Sequence, residues 1–220
     1  MASTTVEDYI KRMFLEQQRN GGKIVAMGRL AEVVAVSPGT ATSMVKVLAK
    51  SGLASYRPRT GCKLTKKGEE LAVHVLRCHR LIELFLVNIL GLDWSEIHEE
   101  AEALEHAVSA RVLEKIDEFL GYPTVDPHGD PIPSASGEIV MPSMIPLSNC
   151  KSGQSIRVGR IIDQSRSFLR FAKRHSLKPG VDADVVDLDT LADAVTIQTA
   201  DSEPVTLGLR VAAKILVETH

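Results

Sequence analysis

The chain has 220 residues, 44% hydrophobic and 25% charged, with a formal net charge of −2 and only 4% aromatics. This is the balance of ordinary globular domains, with cores built from Leu, Val, Ile and Ala. No apolar run approaches the ~20 residues that span a bilayer, no signal peptide is recognisable, and Cys62, Cys78 and Cys150 form no CxxC pair or disulfide framework, so a cytoplasmic protein is expected.

Residues 4–19 (TTVEDYIKRMFLEQQR) open on Thr with early acids and place Tyr9, Met13 and Phe14 on one face, which predicts a helix stopped by Gly21-Gly22. MGRLAEVVAV (27–36) has helical periodicity. Ser37 then reads as an N-cap and Pro38 as the first position of a third helix, which runs to Ser51-Gly52. Leu30, Val34, Met44, Val45 and Leu48 are left to pack together, the pattern of a helix-turn-helix. GLASYRPRTGCKLT follows as strand, turn and strand, a β-hairpin wing. A helix from about Thr65 carries Leu71, Val75, Leu76, Ile82, Phe85 and Leu86 and runs to about Leu90, and two more are expected near 94–107 and 109–120. Residues 121–150 hold six of the ten prolines and no Lys or Arg, a linker or ordered tether. From residue 152, SIRVGRII, DADVVDLD, AVTIQT and VAAKILVE read as short strands of a small SH3-like β-barrel.

The expected fold class is therefore mainly α with small β: a winged helix-turn-helix domain at 1–75, a helical domain at 76–140, a linker at 141–151 and an SH3-like barrel at 152–220.

Charge is unevenly distributed. Residues 1–75 carry 12 Lys/Arg against 6 Asp/Glu, whereas residues 76–120 carry 4 against 10. No acid lies between Glu32 and Glu69, a stretch that holds seven bases. Such a face is either merely solvated or the footprint of a nucleic acid. In a winged helix the second helix enters the major groove, which puts Ser37, Pro38, Gly39, Thr40, Thr42 and Ser43 at base edges. None has the bidentate reach of Arg or Gln, so direct readout is modest and DNA shape matters. Lys46, Arg57, Arg59 and Lys63 suit phosphate contacts.

IHEEAEALEH (97–106) spaces His98, Glu102, Glu105 and His106 at i, i+4, i+7 and i+8, along one helical face. Like charges so stacked repel, and a bound cation removes that cost. His79 and Glu83 form another i, i+4 pair on the preceding helix. A solvated acidic face is the plain alternative. Carboxylate and imidazole without thiolate suit Mn²⁺, Fe²⁺, Co²⁺ or Zn²⁺.

EDY in the first helix, RCHRLIELFL, GLDWSEIHEEAEALEHAVS and DPHGDPIP resemble the diphtheria-toxin-repressor family of metal-dependent regulators, strongly over about residues 4–140. The β-rich tail resembles that family's SH3-like domain more weakly. The resemblance implies a primary metal site of Asp8, Glu102, Glu105 and His106 and an ancillary site of His79, Glu83 and His98. In the two-metal manganese branch a second acid follows the Asp by one turn. Lys11 stands there, so a single ion is expected. Ser165 and Phe168 stand where the family's SH3-like domain lends polar ligands to the ancillary site, so no such contribution is expected. The iron-responsive branch has Met at the position of Asp8 and Cys at that of Glu102, so the oxygen donors here imply Mn²⁺, with Fe²⁺ as runner-up. Apolar Leu104, Val108, Val112, Leu113 and Ile116 of the helices near 94–107 and 109–120 either fill an ordinary intramolecular core or form a homodimer, and the homodimer is expected. A dimer implies double-stranded DNA with a palindromic operator, and the resemblance favours repression of metal-uptake genes. The ion would bridge the DNA-binding and dimerisation domains.

Three other readings remain at this point. A metal-dependent hydrolase lacks HExxH, a nucleophile elbow and a P-loop. A winged-helix regulator of an organic effector would ignore chelators. A structural winged-helix protein would show no salt-dependent DNA binding.

Overall fold

The computed structural model describes residues 3–200 and 203–219. They fall into two compact units, one drawn from residues 1–79, 103–110 and 133–138, the other from 80–102, 111–132 and 139–220.

In the first unit α1 (Thr4–Arg19) begins at Ser3, whose side chain accepts from the Val6 amide, and buries Tyr9, Ile10, Met13 and Phe14 along one stripe. Gly21 and Gly22, both at positive φ, turn the chain away. α2 (Met27–Val33) and α3 (Pro38–Lys50) form the helix-turn-helix. Ser37 caps α3 by accepting from the Thr40 amide at 3.2 Å, with Pro38 at its first turn. Leu30, Ala31, Ala41, Val45 and Leu48 are buried between them, whereas Val34 and Met44 are only half-buried. β1 (Ala54–Arg57) and β2 (Gly61–Leu64) pair antiparallel as the wing, joined by a tight turn with Arg59 at φ 65°. α4 (Lys66–Asn88) starts where Thr65 Oγ1 accepts from the Gly68 amide at 3.2 Å.

The segment expected at 94–107 begins as a turn, with Asp93 Oδ1 accepting from the Ser95 amide and hydroxyl, and α5 spans only His98–Glu105. His106 lies just beyond its end, so the four-residue His/Glu face is not one continuous helical stripe. α6 (Ala110–Phe119) follows. The proline-rich stretch is pinned rather than loose: Arg80 donates to the Pro131 carbonyl and Arg77 to the Pro133 carbonyl, both at 2.5 Å, and Asp126, His128, Asp130 and Ile132 are buried.

The C-terminal part of the second unit contains β3 (Ile145–Pro146), β4 (Ser155–Ile161), α7 (Arg166–Arg174), β5 (Asp182–Asp189), β6 (Ala194–Thr199), β7 (Val205–Gly208), α8 (Leu209–Ala212) and β8 (Ile215–Thr219). The six strands form one antiparallel sheet in the order β3-β8-β4-β5-β6-β7. The expected barrel is thus an SH3-like sheet that does not close. Its edge strands β3 and β7 have two and four residues, and among the described residues no pairing joins them. The core is completed instead by Phe168, Leu169 and Ala172 of α7 and Ala212 of α8, packed with Ile156, Val158, Val185, Val195 and Val217. Among the described residues no helix is long and apolar enough to cross a membrane.

Gly68 is a packing constraint. A Cβ there would lie 2.0 Å from the Leu53 carbonyl oxygen, a backbone atom that cannot rotate away. Gly68→Ala is expected to destabilise the winged unit by about 1–3 kcal/mol, the usual cost of overpacking. A urea unfolding midpoint by circular dichroism equal to that of the parent chain would contradict this packing.

Candidate metal centre and nucleic-acid interface

Glu105 closes α5 with a side chain that has no solvent exposure, so its carboxylate requires compensation from within the protein. Two groups of the same unit reach it. Lys11 of α1 donates from Nζ to Oε1 at 2.5 Å, and His79 of α4 places Nδ1 2.6 Å from Oε2. The next residue, His106, has Nε2 3.0 Å from Asp8 Oδ1 and 3.3 Å from Glu105 Oε1, and Nδ1 2.7 Å from Glu7 Oε2. Burial disfavours the His106 imidazolium, but the hydrogen bond it donates to Glu7 and the negative fields of Glu105 and Asp8 outweigh it, and the net shift is upward.

One ligand atom from each of Asp8, Glu105 and His106 lies within 4.8 Å of the others. Two carboxylates and an imidazole at that spacing fit a divalent transition ion. The nearby thiol of Cys78 is not part of the set. It donates to the Glu105 backbone carbonyl at 3.3 Å, and burial, reinforced by the Glu105 charge, pushes its pKa up to about 12.

Of the expected ligands, the structure brings Asp8, Glu105 and His106 together. Glu102 Oε1 lies 3.6 Å from His98 Nε2, and Glu83 Oε1 lies 3.3 Å from His98 Nδ1. His79 and Glu83 stand one turn apart on α4, as the spacing predicts. Glu7 and the Lys11–Glu105 pair were not anticipated as partners. The signal for Glu7 was its place one residue before Asp8. Nothing in the local sequence indicates a bond spanning 94 residues.

Sequence reasoning also missed a buried group in the second unit. Glu83, Asp126 and His128 each offer a ligand atom within 4.8 Å of the others. His128 stacks on Trp94 with ring centroids 5.5 Å apart and places Nε2 2.9 Å from the Trp94 carbonyl oxygen, while its Nδ1 has no hydrogen-bond partner and lies 3.8 Å from Glu83 Oε2. Burial first, then the charges of Asp130 and Glu83, hold Asp126 well above the usual carboxylate range. These residues can hold a cation. Their signal was the acid-His-acid spacing of DPHGD, inside a stretch taken for a tether.

In the winged unit Ser37, Pro38, Gly39, Thr40, Ser43 and Lys46 are exposed along the start of α3, and Thr42 is half-buried. The hydroxyls are engaged locally: Thr42 Oγ1 donates to the Pro38 carbonyl at 2.7 Å, Ser43 Oγ to Gly39 at 3.0 Å, and Ser37 Oγ lies 2.8 Å from Thr40 Oγ1. Arg57 and Arg59 are exposed on the wing, while Lys63 donates to the Gly22 carbonyl at 2.8 Å.

Three family models match the chain: the iron dependent repressor N-terminal DNA binding domain over residues 1–62, the iron dependent repressor metal binding and dimerisation domain over 65–134, and the FeoA domain over 145–219. An uncharacterized HTH-type transcriptional regulator of Methanocaldococcus jannaschii is 39% identical over 118 residues, which are 54% of this chain and 94% of the relative. The iron-dependent repressor IdeR of Mycobacterium tuberculosis is 36% identical over 130 residues, 59% of this chain and 55% of its own length. The chain thus spans about half of that relative. Among solved structures, a manganese-dependent transcriptional repressor in complex with manganese is 35% identical with a TM-score of 0.84, covering 98% of this chain and 100% of that one. The manganese regulator SloR, also 35% identical, gives a TM-score of 0.73 over 98% of both chains.

The raised pKa of His106 has a defined consequence. Without metal, its protonated form contributes stability that is fully present below the ordinary value of 6.5 and is lost as pH rises through the raised folded value. An ion bound at Asp8, Glu105 and His106 must displace that proton. Mn²⁺ affinity is therefore expected to fall about tenfold per pH unit below the raised value and to level off above it. Calorimetric titrations across this range test the point, and a flat profile would remove His106 from the ligand set.

Proposed function

This chain belongs to the diphtheria-toxin-repressor family of metal-dependent transcriptional regulators, and we propose that Mn²⁺ held by Asp8, Glu102, Glu105 and His106 is the ion that switches its grip on DNA. The family comprises DNA-binding repressors that act as dimers, not enzymes, and nothing in the comparisons supports a hydrolase or an organic-effector regulator. The observation that carries the reading is the meeting of Asp8 on the first helix of the winged unit with Glu105 and His106 at the end of α5.

A bound divalent ion supplies positive charge to carboxylates that otherwise repel one another. Asp8 then fixes α1, the helix on which the helix-turn-helix is mounted. Glu105 and His106 fix the end of α5, which leads on to α6. The DNA-binding orientation is selected from those the metal-free protein already samples. Glu102 completes a set of three carboxylates and one imidazole, hard donors that suit Mn²⁺, with Fe²⁺ the runner-up. His79, Glu83 and His98 are proposed as ancillary ligands, with Glu83 also available to the buried Asp126–His128 group. Leu104 and Val112 are 40% and 49% exposed, apolar surface of the kind a partner subunit would cover, whereas Val108 and Ile116 are half-buried and Leu113 is buried. A dimer calls for a palindromic operator. Repression of metal-uptake genes in the cytoplasm, and division at 1–75, 76–140, 141–151 and 152–220, belong to the same proposal.

On an operator selected from random DNA, Glu105→Ala or His106→Ala should raise the Mn²⁺ required for binding by at least about tenfold without unfolding the chain. Normal operator binding by these variants in chelator would overturn the metal switch. At saturating metal, Mn²⁺ should activate the parent chain more strongly than Fe²⁺, and Asp8→Met with Glu102→Cys should move the response toward Fe²⁺. Strong Fe²⁺ activation with negligible Mn²⁺ activation in the parent would refute the choice of ion.

Thr40 and Ser43 are proposed to help select sequence, with Ser37, Pro38, Gly39 and Thr42 lining the same helix start and Lys46 and Lys63 adding phosphate contacts. Replacing Arg57 and Arg59 by Ala is expected to weaken binding to specific and random DNA alike and to flatten the salt dependence by about two counterions. An unchanged salt slope would remove the wing from the interface.

A further inference from the structure

We infer that Lys11 is a resident counter-cation of Glu105 that competes with the divalent ion and thereby sets the metal concentration at which the site fills. The inference rests on the assignment of Asp8, Glu105 and His106 as ligands.

The geometry is specific. Glu105 has two carboxylate oxygens, and both are engaged within the protein. Oε2 lies 2.6 Å from His79 Nδ1, on the α4 side. Oε1 accepts from the Lys11 ammonium at 2.5 Å and is also the oxygen 3.3 Å from His106 Nε2. The oxygen beside the imidazole, which an ion shared with His106 would use, is therefore the one that already carries a cation. Lys11 is 3% exposed and its partner's side chain is fully buried, so water screens this pair little.

Two costs follow for an incoming ion. If it sits beside the ammonium, two cations face each other across one buried oxygen, where Coulomb energies far exceed those in water. If it displaces the ammonium, a buried lysine loses its salt-bridge partner. Either way part of the ion's binding energy is used against Lys11, and affinity is weaker than the ligand set alone would give. The same ammonium neutralises Glu105 when metal is absent, which allows the carboxylate to remain buried. Lys11 thus acts on affinity without being a ligand.

The test is titration of the full-length chain with Mn²⁺ alone, following free Mn²⁺ by electron paramagnetic resonance. Lys11→Gln keeps a hydrogen-bond donor near Oε1 and removes the charge. It is expected to bind Mn²⁺ at least about tenfold more tightly than the parent, on the scale by which groups around a metal site tune it. Lys11→Arg keeps the charge and should stay within about threefold of the parent. Unchanged or weaker binding by Lys11→Gln, or equal tightening by Lys11→Arg, overturns the inference. If Lys11→Gln is unfolded without metal, Mn²⁺ is expected to restore its circular dichroism, and failure to do so also overturns it. His106→Ala in the parent background separates the two levels. If it leaves Mn²⁺ binding intact, the site assignment fails. If it abolishes binding while Lys11→Gln changes nothing, only the role of Lys11 fails.

Discussion

A carboxylate with no access to solvent is tolerated only where donors and positive charge reach both of its oxygens, and at Glu105 these come from two other helices. Lys11 arrives from 94 residues away and His79 from 26. α1, α4 and the end of α5 are thus held against a single anion, and Cys78 adds a bond to the same residue's backbone carbonyl. The arrangement makes Glu105 unusually sensitive to the cation beside it. Asp8 and Glu7 precede Lys11 by one turn of the same helix, and both reach His106, the neighbour of Glu105. A change of cation at Glu105 is therefore felt by α1 through two adjacent turns, with no intervening loop to absorb it.

The winged unit separates holding DNA from reading it. Thr42 and Ser43 spend their hydroxyl protons on carbonyls of their own helix, and Ser37 spends an acceptor on capping α3. What remains at the helix start is mostly acceptor oxygen, a small proline and a glycine. That surface contacts a groove closely but distinguishes bases weakly. Arg57, Arg59 and Lys46 are exposed, and charge proposed to meet phosphates would add affinity that carries no sequence information. On the proposed palindromic operator, a head with strong electrostatic and weak direct readout would depend on the placement of two half-sites for its specificity, the property proposed to respond to a change at α1.

The N-terminal elements were legible because local signals and burial agree there. The cap at Ser37, the Pro38 start and the Gly21-Gly22 stop each lie within a few residues of the feature they fix. The His/Glu spacing pointed to the right helix, but the helix ends at Glu105, since Asp93 and Ser95 form a turn where the pattern suggested a first helical turn. In the tail, alternation revealed β4, β5, β6 and most of β8 but said nothing of closure, which depends on edge-strand length. It also concealed α7. That helix is short, apolar at Phe168, Leu169, Phe171 and Ala172 and mostly basic elsewhere, and its charges find Glu96 and Asp93 from a distant segment. Asp126 and His128 were obscured because proline and glycine suggest a tether, whereas this stretch carries buried acidic and imidazole side chains. The charge partners of α7 are remote in sequence, whereas the late start of α5 comes from the local Asp93–Ser95 turn.

Stacked like charges around the proposed metal centre require compensation, and the protein's own groups supply part of it. Glu105 is compensated by Lys11 and His79, and the raised pKa of His106 lets a proton serve Glu7 and Asp8. The Lys11–Glu105 bond and the contacts of His106 with Glu7 and Asp8 link α1 to the end of α5 through the same groups proposed to hold the ion. On that reading an ion changes the strength and direction of bonds that already exist, and the population shift is set by its differential affinity for the two arrangements. Cations that the protein itself supplies set the midpoint of such a response on the metal scale, not its steepness. On the proposed ligand set that midpoint lies where the ion's attraction to three carboxylates and an imidazole just exceeds the hold of Lys11 and the His106 proton on those same groups.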